Sequence, residues 1–318
     1  MRYRSGLILT LLACACALAS NAQSVIASIS VPGVPNGIAV NPNSSRIYAA
    51  IPYISTNGLS AIAVIDGSSN TLVDTISLPS GDADFIAVNM VTGRIYSASK
   101  NVVEVIDGTS DKVMTTITLA GSGIGIQGIA VDSVHNRIYV SDDSNDELAV
   151  IDGATNAVTY VNTHNTEALG LAVDFATGQV LITPSGGALD IFNPATRAFQ
   201  QVLVGQINQD VAVNSFTGFA YVTNEVGSTL GVVNLSNLQT SSITVGNAPY
   251  GVTVDYLSNL VFVAVEGDGT VVVIDGRTNA LAGSVNAPSS YLDVNPATRT
   301  VYASSTNVSP NYVYAISE

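Results

Sequence analysis

The chain has 318 residues, 47% of them hydrophobic and only 11% charged, and its formal net charge is −14. That much apolar residue supports a large core and excludes a disordered chain. The acidic balance weighs against nucleic-acid binding, and two cysteines are too few for a disulfide framework.

The first 22 residues have the layout of an export signal. Arg2 and Arg4 form the positive end, Gly6 to Ala19 the apolar run, and Ser20-Asn21-Ala22 a small-x-small cleavage site before Gln23. The run is too short to span a bilayer. Cleavage there removes both cysteines, Cys14 and Cys16, and leaves residues 23–318 as a single domain. A rival reading takes Leu11-Leu12-Ala13-Cys14 as a lipoprotein box, with Cys14 lipidated; the downstream site is the better of the two. The expectation is a periplasmic or extracellular protein without a transmembrane span.

Next comes a strand, Ser24 to Val31, with no hairpin partner ahead of it. After it a degenerate stretch recurs seven times. Its fullest copy is DVAVNSFTGFAYVTN, from Asp210 to Asn224. In each copy an Asn or Asp (Asn41, Asn89, Asp132, Asp174, Asn214, Asp255, Asn295) stands seven residues before an aromatic or Leu (Tyr48, Tyr96, Tyr139, Leu181, Tyr221, Phe262, Tyr302). Val precedes every one of these Asn/Asp residues, and another large aliphatic stands two places earlier. Aliphatics at period two predict a strand. The Asn/Asp then opens a turn by bonding the backbone two residues on, and Thr-Gly or Ser-Asn supplies a left-handed corner. Turn chemistry, not catalysis, is the reading for these residues.

The copies recur about every 42 residues, the spacing of four-stranded propeller blades. A second repeat holds the same phase: AVIDG at Asp66, EVIDG at Asp107, AVIDG at Asp152, DIFNP at Asn193, GVVNL at Asn234 and VVIDG at Asp275. It predicts a third strand running into an Asp-Gly-type turn. The absence of Trp excludes Trp-Asp repeats. The run Asn311 to Ser317 matches a third strand with no fourth after it. The N-terminal strand is therefore expected to fill that place and close the ring, leaving no open edge.

With AYVTN at 220–224 preceded by DVAVN, and the run VGNAPYGVTVDYLSNLVFVA, the chain resembles the YVTN family of β-propeller repeats over nearly its whole mature length. The resemblance implies an all-β, seven-bladed propeller of four-stranded antiparallel blades in an exported protein. It implies no single activity, because propellers serve as binding platforms, scaffolds and enzymes.

Strand direction sorts the connections onto two faces. The turn face holds the strand 1–2 and 3–4 turns, with Arg46, Arg94, Lys112, Arg137, Arg197, Arg277 and Arg299. The loop face holds Asp82, Asp84, Asp142, Asp143, Asp146, Glu147, Glu167, Asp210, Glu225, Glu266 and Asp268 against Lys100 alone. A face of that sign attracts cations and basic partners.

Catalytic signatures are scarce. The two histidines, His135 and His164, fall on opposite faces, and no GxSxG, P-loop or dinucleotide fingerprint is present. Asp143, Asn145 and Glu147 alternate like part of an oxygen-ligand set for Ca2+, without the Gly and distal Glu of an EF-hand. The channel mouth is the stronger ligand site. Its candidates are Asp84, Phe85, Gln127, Gln209, Asp210, Tyr250 and Tyr291; Phe85, Asp210 and Tyr291 stand where other copies have Gly. The leading expectation is a monomeric, non-enzymatic binding or scaffold module that takes a cationic protein, peptide or small ligand on its loop face, with no required cofactor. A hydrolase or lactonase with a cation at the mouth is the second reading, and a nucleic-acid-binding propeller the third.

Overall fold

A computed structural model describes residues 23–54, 59–79, 81–121, 125–142, 144–163, 168–305 and 311–318. Residues 1–22, read above as an expected export signal, and Asp143, His164 and Glu167 lie outside the described residues. Seven antiparallel sheets of four strands form a ring, with one 3-10 turn at Glu266–Asp268. Six blades are contiguous in sequence, over 38–77, 85–118, 126–162, 168–203, 208–244 and 249–286. The seventh takes Tyr291–Asn295, Thr300–Ser304 and Tyr312–Ser317, and its outer strand is the N-terminal Ser24–Ser30, paired antiparallel to Tyr312–Ser317. The ring closes as the sequence predicts. Neighbouring inner strands touch all the way round, including Tyr291–Asn295 against Ile38–Asn41 of the first blade.

The repeat residues do what their chemistry predicts. The side-chain Oδ1 of Asn41, Asn89, Asp132, Asp174, Asn214, Asp255 and Asn295 each accepts the backbone N–H two residues on. Four residues after each, the chain takes a left-handed corner at Ser45, Gly93, Asn136, Gly178, Gly218, Asn259 and Arg299. The Asp66-type turns repeat both features, with left-handed corners at Asn70, Asp111, Asn156, Arg197, Leu238 and Asn279.

The glycine of the Asp-Gly turn has another cause. Gly67, Gly108 and Gly276 are not left-handed. The strand 2 tyrosine of the preceding blade reaches them: Tyr302 donates its hydroxyl to Gly67 O at 3.3 Å and to Asn70 Oδ1 at 2.9 Å. A Cβ at Gly67 would stand 2.9 Å from that hydroxyl, and one at Gly276 2.7 Å from Tyr221 Oη. Where the inserted residue is the shorter Leu181, the facing turn carries Leu235, and the two share one apolar cluster. Large buried aromatics thus lock blade to blade, a geometry worth several kcal/mol per fully buried ring.

Candidate functional site

The mouth of the channel on the loop face is set by how strand 1 begins. In four blades the register shifts there, between Ile126 and Ile129, Ala168 and Leu171, Asn208 and Val211, and Pro249 and Val252. Such bulges bend the strand and re-aim side chains. They lie at Gln127, Leu169, Gln209 and Tyr250, all of which line the mouth. The next residue is usually Gly because the inner strands converge. A Cβ at Gly128 would stand 2.4 Å from Leu169 O, and one at Gly251 2.3 Å from Ser290 O. Phe85, Asp210 and Tyr291 break this rule and project side chains into the mouth.

Hydroxyls stitch the converging ends. Thr223, from the AYVTN motif, accepts the Asp210 N–H at 3.0 Å and donates to Tyr250 O of the next blade. Thr183 likewise accepts the Gly170 N–H at 2.8 Å and donates to Gln209 O at 3.2 Å.

The resulting cavity measures about 140 Å³. Six of the seven predicted site residues line it: Phe85, Gln127, Gln209, Asp210, Tyr250 and Tyr291. Tyr291 sits at the centre of an aromatic cluster, edge-to-face with Phe85 at 6.2 Å and with Tyr250 at 5.4 Å between centroids. The two tyrosine hydroxyls approach to 3.3 Å. Burial raises both phenol pKa values, Tyr291's most strongly, so both stay protonated at neutral pH. Gln209 donates its amide to Glu225, and Ser290 its hydroxyl to Glu266, which places two carboxylates at the rim. Asp84 stands apart. Its carboxylate accepts the Ser99 hydroxyl, and its carbonyl accepts the Gly37 N–H of the first blade at 2.9 Å.

Asp210 and a second acid, Asp293, fasten the wall of the channel. Each carboxylate bridges two inner strands. Asp210 accepts the N–H of Val211 at 2.8 Å and of Val252 at 3.0 Å; Asp293 accepts those of Val294 at 2.8 Å and Val40 at 2.7 Å. Inner strands of adjacent blades are not paired as one sheet, so these N–H groups would otherwise face the lumen unsatisfied. Both acids keep some accessible surface, directed at the lumen. Enclosure by the apolar wall pushes each carboxyl up to about 6, against the N–H bonds that pull it down.

Below these acids the channel widens into a chamber of about 620 Å³ at the turn face, which the sequence reading did not anticipate. The chamber is lined by the aliphatic inner strands and by apolar turn tips, among them Val91, Val134, Phe175, Phe216 and Tyr256. Phe175, Phe216 and Tyr256 come from three successive blades and pack together at 5.4–5.9 Å between centroids. The signal in the sequence was the apolar residue one or two places after the Asn/Asp, where turns are ordinarily polar.

The two faces also differ in charge. Lys100, the loop-face cation, contacts Asp82. Two of the seven turn-face cations pair with aspartates of the turns themselves: Arg46 lies 3.9 Å from Asp111, and Arg277 3.1 Å from Asp275. The turn face therefore carries acids beside its cations, whereas on the loop face the cation Lys100 is already paired. Asn145 donates its amide to Asp142 at 2.7 Å and Glu147 opens a third strand. Among the described residues no group of three His, Cys, Asp or Glu could hold a metal ion, and no helix is long and apolar enough to cross a membrane. Compared with known proteins, the sequence matches no family model and no curated protein.

Proposed function

We propose that the protein is a non-catalytic binding module whose loop-face mouth takes the cationic group of a peptide, protein or small ligand. The observation that carries this reading is the composition of the mouth. Phe85, Tyr250 and Tyr291 offer aromatic surface, Asp210 lies among them, Glu225 and Glu266 stand at the rim, and among the described residues no Lys, Arg or His lines the cavity. Aromatic faces and carboxylates together favour an ammonium or guanidinium head, because the ring quadrupole and the full charge attract it alike. The YVTN-type repeat and the N-terminal segment support an exported module of that family. N-terminal sequencing of the protein from its native host should then begin at Gln23; a start at Met1 or Cys14 rejects that cleavage.

The binding test uses a lysine-rich peptide titrated by calorimetry at about 20 and 300 mM salt, where screening lengths differ several-fold. Affinity should fall at high salt, and Tyr250→Ala should weaken it about tenfold, within the range of a lost cation–π contact. Arg46→Ala with Arg94→Ala should leave it unchanged. Equal binding by an acidic peptide of the same length would sink the proposal.

A further inference from the structure

The chamber at the turn face has its own chemistry. About 620 Å³ falls within the range of small-molecule sites, roughly 300–1,000 Å³. Its walls are Val, Ile, Leu and Ala from all seven inner strands, and its mouth is open at apolar side chains: Val91 is 74% exposed, Val134 63% and Phe216 65%. At its inner end Asp210 and Asp293 both face the lumen. Asp210 accepts one N–H on each carboxylate oxygen; Asp293 accepts two N–H groups and is also hydrogen-bonded by the Thr253 side chain, which still leaves its carboxylate room for one further donor. No Lys, Arg or His side chain lines the chamber among the described residues. Enclosed acids without a counter-charge are costly, and a cation placed between them relieves that cost.

We propose that this chamber binds a lipophilic amine, an apolar body filling the aliphatic tube with a protonated amine directed at Asp293. Charge complementarity decides the class. A fatty carboxylate of the same shape would meet two acids with no cation, and a neutral apolar molecule would leave both acids uncompensated. The aromatic group Phe175, Phe216 and Tyr256 forms one side of the entrance and Val91 with Val134 another, so the ligand enters from the face opposite the acidic rim. This site stands independently of the loop-face reading, and either can fail alone. Asp293 lies nearest the chamber's aliphatic span, with Asp210, Thr253 and Tyr256 as its polar neighbours.

The test is equilibrium dialysis of the whole protein at neutral pH against 4-phenylbutylamine, 4-phenylbutanol and 4-phenylbutyrate. The amine should bind at least tenfold tighter than the alcohol, and the carboxylate weakest of all. Asp293→Asn should weaken the amine at least tenfold and the alcohol less than twofold. Ala87→Leu, which places a larger side chain in the lumen, should weaken amine and alcohol together. Because Asp293 also fastens two strands, Ala87→Leu carries the test if Asp293→Asn does not fold. An amine preference under tenfold, or Ala87→Leu binding the amine like the parent, overturns the proposal. So does sedimentation with neutral phosphatidylcholine vesicles without amine binding, which would make the apolar rim a membrane face.

Discussion

The loop-face mouth and the turn-face chamber are opposite ends of the same seven strands, yet they differ in size, polarity and lining. The loop end is narrowed to about 140 Å³ because bulged strand entrances and three aromatic rings converge on the axis, held by Thr and Ser hydroxyls. The turn end stays open at about 620 Å³ because Ala and Val line strand 1 below the mouth and leave the lumen wide. One strand pattern therefore leaves the wall constant while its two ends vary. Departures from the repeat, such as Phe85, Asp210, Tyr291 and Asp293, mark where each end acquires its character.

The largest effect comes from removing the element that both ends share. Deleting residues 23–31 strips Ser24–Ser30 from the seventh blade and exposes Tyr312–Ser317 as an edge. We expect the melting temperature to fall by more than about 10 °C, aggregation to rise, and both the lysine peptide and 4-phenylbutylamine to lose binding. A deletion variant that melts like the parent would show that closure by this strand is dispensable.

Tyr291→Ala separates the two ends. It removes the ring shared by Phe85 and Tyr250, and for a side chain that is partly buried we expect a stability loss of about 2 kcal/mol. Peptide binding at the loop face should drop about tenfold while amine binding in the chamber stays within about twofold. Equal losses at both ends, measured by the same two titrations, would mean that the cavities act as one.

The wall between them should respond to pH. Asp210 and Asp293 titrate near 6 in the folded chain, above the ordinary 3.8 of an aspartate. Folding therefore binds protons between these values: the contribution is fully present below about 4 and is lost as pH rises through 6. Contact with the lumen tempers the effect, which we put on the order of 1–2 kcal/mol for each acid. Chemical denaturation of Asp293→Asn beside the parent should show the variant gaining by that amount between pH 4.5 and pH 8. A pH-independent difference would mean that the lumen hydrates Asp293 as well as bulk water does.

Residues whose role is local were legible in the sequence; residues whose role is made by the ring were not. Asn41, Asp66 and their repeats bond a backbone group two residues away, so pattern and function share one short span. The closing strand was legible because one blade lacked a fourth strand and one strand lacked a blade. The start of strand 1 marks six of the mouth residues, whereas Asp84, at the same place in its copy, turns its carboxylate back to Ser99. The chamber escaped notice because Phe175, Phe216 and Tyr256 are some 40 residues apart and meet only when three blades are set side by side. Gly67 was legible as a turn residue, but not its cause, since the tyrosine it admits lies 235 residues away.

The smallest expected effect concerns the turns that carry the chamber's rim. Seven strand 1–2 turns need a left-handed residue, and glycine or asparagine fills five of them. Arg299 does so with φ of 54°, on an exposed corner of the seventh blade. A side chain with a Cβ is strained there by about 1 kcal/mol relative to glycine. Glycine also loses more freedom on folding, which returns part of that gain. Arg299→Gly should therefore stabilise by only about 0.5 kcal/mol, read as a rise of about 1 °C in melting temperature. The bond from the Glu318 N–H to the residue 299 carbonyl, 3.1 Å, is backbone and survives the change. Both ligand affinities should be unaltered, because the corner lies outside either cavity lining. A destabilised variant would show that the Arg299 side chain, through its attraction to the half-buried Glu318 carboxylate, outweighs the backbone strain it imposes.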